Sequence, residues 1–490
     1  MKMFKIAVIP LCFTALLFSA CPDPVKSPNT GGNKFWAFNW QTSKYYQVTA
    51  SEVFEGEHCV IWAELSANIS PKQAEEFARE YDDNIHRKVV DTFGRKNFTV
   101  KDYEFNDIME FAGELVGADE KLTILLLNIQ DGYTSGKNAF VAGYFSPSDF
   151  YGEYAQDITG DMVFTYSNQK SMIYVDTWPG LNNRGEVYKT LAHELQHLIN
   201  FVTSVLEKNI TGKDSLTDTW IDEGLSSQAE FLYLGDHPQN RLEDFNEDRA
   251  GTLAKGNNFF VWDNHKETNA ILDEYSTVYL FFQWLYMQSN KNTQIFYDIE
   301  NSEYSDYRAI TKLAAEQGII SNANDWETLL GTWLAANYLK NPDGKYGYKG
   351  ELSEIQISPV RTNGNQLKLS PGEGVYSRII NTNFSPPFGS GTHVKYAGLQ
   401  ENSLPVLNAP FSGDMLLTFN ANSQNQASAE TGYLTGAPFP RAQSTARLSL
   451  NERTAASSRP RAIDARDIGG NRGAEFPWPW AWTLRPETAK

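Results

Sequence analysis

The segment at residues 193–197, with the sequence H-E-L-Q-H, carries residue types and a spacing suited to hydrolytic chemistry on a metal ion. His193 and His197 stand at i and i+4, so on a helix both imidazoles point the same way and reach one ion. A catalytic zinc ion (Zn2+) takes three protein ligands and leaves one position for water. Glu194 is placed to take a proton from that water, and Glu223, on a following helix, is placed to be the third ligand. The spacing therefore predicts a catalytic zinc site of the kind found in zinc peptidases.

Two further residues are predicted to surround this site. Glu230 follows Glu223 by about two helical turns on the same face, where it is placed to accept the N–H of a ligating histidine. The alternative for Glu230 is a solvated helix glutamate. Tyr275 begins the next helix, where its phenol is placed to donate a hydrogen bond to the oxyanion; the alternative is a core or groove aromatic. The other candidate donors in this stretch are Tyr279, His237 and His265.

The chain around the two histidines has the pattern of a helix that packs on a sheet. An apolar stripe at helical spacing consists of Tyr188, Leu191, Leu195, Leu198, Ile199 and Val202. This stripe argues against an ordinary surface helix. Apolar runs at 122–129, 138–145 and 172–175 predict strands, with 122–129 at the centre of a mixed sheet. Further strands are predicted at 45–48 and 59–62. A strand, a turn and the metal helix thus follow one another in the chain.

Helices are predicted at several other places from capping residues and apolar spacing. The ranges are 70–93, opened by Ser70-Pro71, then 219–234 with Asp218 or Thr219 as the cap and Gly235 as the stop, 272–287, 306–317 and 325–340. From about residue 348 to residue 417 the pattern changes to alternating strands and turns. The chain therefore combines a sheet, a helical region and a later β-rich region.

Composition limits the classes of protein that this chain can represent. The chain has 490 residues, of which 41% are hydrophobic and 13% aromatic, which is typical of a packed globular protein. Its formal net charge of -18 argues against nucleic acid as a partner, because binding phosphates requires clustered cations. The oligomeric state stays open.

The N-terminus has the pattern of an export signal. Lys2 and Lys5 precede an apolar run at 6–18 that is too short to span a bilayer. Residues 18–21, F-S-A-C, resemble a bacterial lipoprotein processing site, which implies lipid attachment at Cys21 and anchoring to the cell envelope outside the cytoplasm, at the outer membrane or the cell surface. The alternative is a plain cleaved signal. Residues 22–34 are then a tether, and Cys59 is predicted to be a buried apolar residue.

The final fifty residues differ from the rest of the chain in composition. Residues 441–490 are rich in Arg, Ala, Ser, Pro and Gly. This composition predicts a disordered tail, to which no function is assigned.

Several motifs together resemble a known class of enzymes. The H-E-L-Q-H segment, the phrase W-I-D-E-G-L-S at 220–226 and Glu230 resemble the gluzincin pattern, in which a glutamate is the third zinc ligand. With G-Y-F-S-P at 143–147 on the expected substrate-binding edge strand, the chain most resembles the hyicolysin family of secreted bacterial metalloendopeptidases. The resemblance implies that His193, His197 and Glu223 bind zinc and that Glu194 is catalytic.

The predicted fold class is α+β. A zincin-like peptidase domain at 35–347, built from a mixed sheet lobe and a helical lobe around the H-E-x-x-H helix, precedes a small β-rich domain at 348–440. The predicted function is that of a zinc endopeptidase that cuts polypeptide substrates. The alternatives are an aminopeptidase of the gluzincin clan, although no G-x-M-E-N phrase precedes the histidines, and a non-catalytic zinc-containing surface lipoprotein that binds an envelope or host component.

Overall fold

The computed structural model describes most of the chain between residues 32 and 434. The described residues are 32–94, 121–134, 140–150, 165–208, 217–256, 268–360, 365–379, 383–400, 406–424, 427–434 and 480–484. The predicted signal segment at 1–21 with its Cys21, most of the tether, and His265 lie outside the described residues. Of the helices in the described part of the chain, none has the length and apolar character needed to cross a membrane.

A seven-stranded mixed sheet forms the first layer of the molecule. Its strands are β1 (Asn33–Asn39), β2 (Lys44–Glu55), β3 (Cys59–Glu64), β4 (Leu122–Leu127), β5 (Phe140–Phe145), β6 (Met172–Asp176) and β14 (Trp480–Leu484), in the order β1-β2-β3-β4-β6-β5-β14. β4 pairs in parallel with both β3 and β6, while β5 runs antiparallel to β6. Every residue of β4 is buried, as expected for an apolar strand at the centre of a sheet.

The first helical segment follows the prediction from Ser70-Pro71. Helix α1 (Pro71–Glu80) begins with a capping box, in which Ser70 Oγ accepts the Gln73 N–H and the Gln73 side chain accepts the Ser70 N–H. A π-helical turn (Tyr81–His86) joins α1 to α2 (Arg87–Phe93). The nearby Cys59 is fully buried on β3, and burial, followed by the charge of Asp82, raises the pKa of its thiol. Cys59 is therefore an apolar core residue, as predicted.

The helical lobe packs on the sheet through the helix that carries the two histidines. This helix, α3 (Arg184–Asn200), follows β6 and continues as a π-helix (Phe201–Lys208). Helix α4 (Thr219–Leu234) ends at Gly235, whose φ of 70° favours glycine. Asp218 occupies the N-cap position of α4 but does not cap it through its side chain; its carboxylate accepts the indole N–H of Trp220 instead.

Five more helices of this lobe lie in the described part of the chain. They are α5 (Gln239–Glu247), α6 (Thr268–Gln288), α7 (Gln294–Glu300), α8 (Tyr307–Glu316) and α9 (Trp326–Leu339). The predicted helices at 272–287, 306–317 and 325–340 correspond to α6, α8 and α9. The prediction that Tyr275 begins its helix was wrong, because α6 begins at Thr268 and Tyr275 lies two turns inside it. Asp306 and Asp325 cap α8 and α9 by accepting backbone N–H groups, which accounts for where these two helices begin.

A β-rich region follows the helical lobe, as the change of pattern near residue 348 predicts. Its strands are β7 (Gln366–Leu369), β8 (Gly374–Arg378), β9 (Asn383–Phe384), β10 (Val394–Leu399), β11 (Phe411–Ser412), β12 (Met415–Asn420) and β13 (Glu430–Tyr433). They form a three-stranded sheet, β10-β12-β8, and two strand pairs. The α+β fold class is confirmed.

The β-rich region shares its core with the helical lobe. Tyr376 donates a hydrogen bond from its hydroxyl to the Leu334 carbonyl on α9, at 2.7 Å. Phe419 on β12 packs so closely on α9 that a Cβ at Gly331 would lie 2.8 Å from its ring. The domain boundary between residues 347 and 348 stays a prediction. One continuous apolar cluster includes residues from both sides of it.

Candidate metal centre

Three buried side chains from α3 and α4 converge on one point. The Nε2 atoms of His193 and His197 lie 3.1 Å apart. The Glu223 Oε2 atom lies 3.3 Å from the first and 3.5 Å from the second. The three residues predicted as metal ligands are thus the group in the described part of the chain that has the geometry to hold an ion.

These separations fit a tetrahedral ion. Ligand atoms at about 2.0–2.1 Å from zinc, arranged tetrahedrally, lie roughly 3.3 Å from one another. The three measured separations of 3.1, 3.3 and 3.5 Å are close to that value. Burial acts to raise the pKa of the Glu223 carboxyl, but His197 and His193 outweigh it and lower that pKa to about 2. Glu223 is therefore a carboxylate at neutral pH, which is the form that binds a cation.

Glu230 holds the first histidine in the orientation that this arrangement needs. Its Oε1 atom lies 2.8 Å from His193 Nδ1, and both side chains are completely buried. Burial acts to raise the pKa of Glu230, but Arg241 and then His193 lower it. Because the resulting carboxylate can only accept, His193 donates through Nδ1–H and turns the lone pair of Nε2 toward Glu223. The contact expected for Glu230 is present.

The second histidine has a corresponding partner, which was not among the residues predicted from the sequence. His197 Nδ1 lies 3.0 Å from Asp222 Oδ1 and 3.0 Å from Ser226 Oγ. Asn200, one turn after His197, also donates to Asp222 Oδ1, at 2.5 Å. Asp222 immediately precedes Glu223 in the W-I-D-E-G motif. Its position next to a predicted metal ligand is the sequence feature from which its role could have been predicted. Both imidazoles therefore direct an Nε2 lone pair to the same point.

Glu194 lies beside the cluster with one oxygen fixed and one available. Its Oε2 accepts the Phe145 N–H at 2.9 Å, at the end of β5. Its Oε1 is buried and makes no hydrogen bond within the described residues. Burial raises the pKa of the Glu194 carboxyl to about 7, against the opposing effect of the two histidines. Such a pKa suits a group that takes up and returns a proton near neutral pH.

The two tyrosines predicted as candidate oxyanion donors, Tyr275 and Tyr279, make different contacts. Tyr275 Oη lies 3.3 Å from Glu223 Oε1, and the Tyr275 ring centroid is 6.0 Å from that of His193. Tyr279, one turn later, bonds instead to His237, with its Oη 2.6 Å from Nδ1 of that residue. Tyr275 is therefore the candidate that adjoins the metal cluster.

The strand expected to bind substrate has a partner on its outer side. β5 pairs there with β14 in antiparallel register, with Trp480 opposite Phe145 and Leu484 opposite Phe140. These are the only described residues of the predicted disordered tail at 441–490, and they form a strand. The unpaired N–H and C=O groups of an edge strand are a template for such an extended segment, which explains the difference from the prediction.

Comparison with known proteins supports the peptidase assignment. No family model matches the chain. It is 29% identical over 340 residues to the neutral metalloprotease ShpI of Staphylococcus hyicus, a match that covers 67% of each chain. This similarity to a neutral metalloprotease agrees with the three-residue cluster on the H-E-x-x-H helix, and both support a zinc peptidase.

Proposed function

We propose that this protein is a zinc-dependent endopeptidase that cuts polypeptides outside the cytoplasm, with Glu194 as its general base. The observation that carries the proposal is the convergence of His193 Nε2, His197 Nε2 and Glu223 Oε2 beside the available oxygen of Glu194. The relative named as a neutral metalloprotease supports the same chemistry.

The three converging side chains would hold the ion. When bound, zinc supplies a water of lowered pKa and polarises the substrate carbonyl. Glu194 Oε1 would take a proton from the attacking water and deliver it to the leaving amine, while the Phe145 N–H holds Oε2 in place. Tyr275 Oη, beside Glu223, donates to the oxyanion.

An extended substrate would lie along the outer edge of β5. β14 pairs with this edge in an antiparallel manner, so the edge accepts an extended chain. A site that binds the substrate backbone along a strand suits cleavage within a polypeptide. Anchoring through a lipid on Cys21, and with it a location in the cell envelope, is part of the proposal and is supported by the N-terminal sequence pattern.

Replacement of the general base tests this mechanism. Glu194→Gln keeps the shape of the side chain but removes the basic oxygen, so we expect a loss of activity by about 10²–10⁴-fold with zinc still bound at wild-type stoichiometry. The measurements are metal content and the cleavage of an internally quenched peptide. Glu186→Gln, on the same helix and ion-paired with Lys189, is the matched control and should remain active. Full activity of Glu194→Gln would contradict the mechanism.

The same assays separate the alternatives. Glu223→Ala should lose zinc, whereas retained zinc would mean that Glu223 is not a ligand. An aminopeptidase would cut peptides with a free amino terminus and ignore N-blocked ones, whereas an endopeptidase cuts both. Bound zinc with no cleavage of any member of a broad peptide library would point instead to a non-catalytic zinc protein. Removal of the metal by a chelator should abolish the cleavage activity.

A further inference from the structure

Arg241 is a completely buried arginine next to the metal centre that the reaction itself does not use. It lies on α5, and its Nη2 donates to Glu230 Oε1 at 2.7 Å, with neither side chain exposed. The same Oε1 atom lies 2.8 Å from His193 Nδ1. One carboxylate oxygen of Glu230 is thus held between a guanidinium and the imidazole of a predicted metal ligand.

The same guanidinium makes a second contact that leads to another predicted ligand. Arg241 Cζ lies 4.6 Å from the centroid of the Tyr275 ring, within the range of a cation–π interaction. Tyr275 Oη in turn lies 3.3 Å from Glu223 Oε1. Arg241 therefore contacts one residue that orients His193 and another that lies against Glu223.

We propose that Arg241 is a positioning residue of the metal centre, which holds Glu230 against His193 and Tyr275 against Glu223. This inference rests on the proposed zinc-binding function. A planar guanidinium can form a hydrogen bond in its plane to a carboxylate while its face covers an aromatic ring, and a lysine ammonium cannot do both. Helix α5 thereby fixes parts of α4 and α6 relative to the histidines on α3.

Zinc affinity of the folded protein tests the proposal. Arg241→Met leaves Glu230 without its cation and Tyr275 without its support, so we expect the Kd for zinc, measured by competition with a chelator, to rise by about 10–100-fold. A simple charge effect has the opposite sign, because removing a positive charge near a cation site should tighten zinc binding. An unchanged or lower Kd in Arg241→Met would overturn the proposal.

A conservative variant covers the case in which Arg241→Met does not fold. Arg241→Lys keeps the charge but cannot keep both contacts, so zinc binding should still weaken, by less than in Arg241→Met. Wild-type zinc affinity in Arg241→Lys would by itself exclude the proposal that Arg241 acts through both contacts. If the wild-type protein itself binds no zinc, the proposed function fails and not merely the role of Arg241.

Two comparisons distinguish a positioning role of Arg241 from a purely structural one. Arg308 makes the same two kinds of contact elsewhere, with its Nε 2.8 Å from Asp306 Oδ1 and its Cζ 4.7 Å from the Tyr304 ring centroid. Arg308→Met should leave the zinc Kd unchanged, whatever it does to the Tm of the metal-free protein. In the Glu230→Gln background, Arg241→Met should raise the Kd by less than it does alone, because part of its effect passes through Glu230. If the fold-changes in Kd caused by the two substitutions simply multiply in the double variant, Arg241 does not act through Glu230.

Discussion

A methyl group at Gly224 would separate the two helices that carry Glu223 and Tyr275. Gly224 follows Glu223 on α4, and a Cβ at this position would lie 2.3, 2.5 and 3.0 Å from three ring carbons of Phe282 on α6. Carbon atoms pack best at about 3.5–4.0 Å, so the two groups must part by roughly 1 Å. Phe282 is completely buried, so its ring has no open space to enter. We therefore expect Gly224→Ala to move α4 relative to α6.

The expected effect on activity is larger than the effect on stability. Overpacking of a core costs about 1–3 kcal/mol, while alanine in place of glycine inside a helix contributes about 1 kcal/mol. The free energy of unfolding should therefore fall by about 0–2 kcal/mol. A misplacement of about 1 Å in an active site can lower kcat/KM by about 100-fold. Gly224→Ala should thus fold and yet cleave peptides poorly.

Peptide cleavage and thermal unfolding of the same preparations test this reasoning. Gly185→Ala, on α3, is the matched control, because a Cβ there would lie 3.8 Å from Asn183 Oδ1, which is an ordinary van der Waals distance. Phe282→Leu combined with Gly224→Ala should recover part of the lost kcat/KM, since leucine leaves space for the methyl group. Wild-type kcat/KM and Tm in Gly224→Ala would refute the argument that close contact of α4 and α6 sets the site geometry.

Three further predictions concern other parts of the structure. Asp222→Ala should raise the zinc Kd by about 10–100-fold, because His197 loses the carboxylate that accepts its Nδ1–H; an unchanged Kd in chelator competition would count against that role. Removal of residues 479–490 frees the outer edge of β5, so the KM for a peptide substrate should fall, and an unchanged KM would mean that β14 does not compete with substrate. Burial raises the pKa of the Asp149 carboxyl from 3.8 to about 7, so this group favours the folded state below about pH 4 and that contribution is lost as the pH rises to 7. Asp149→Asn should remove this decline, which is worth up to about 4 kcal/mol, as measured by denaturant unfolding of both proteins between pH 4 and pH 7.

Local sequence signals were sufficient to predict most of the secondary structure. The capping box at Ser70, the apolar run of β4 and the helical spacing around His193 and His197 depend on residues close together in the chain, so they can be recognised without the fold. The residue types at 193–197 also dictate the chemistry, because two imidazoles at i and i+4 share one face of any helix. Glu223 and Glu230 could be predicted from the sequence for the same reason, since both lie on one helix.

Contacts between different elements were decided by the tertiary structure alone. The pairing of Asp222 with His197, the choice of Tyr275 over Tyr279, and the position of Arg241 all depend on how α3, α4, α5 and α6 pack together. The strand formed by residues 480–484 likewise depends on the free edge of β5. Sequence periodicity gives the face of a helix but not its neighbour, because the neighbour is selected by packing between segments far apart in the chain. For this protein the sequence therefore determined which residues are the candidate metal ligands, and the packing of the helices determined which residues hold them in place.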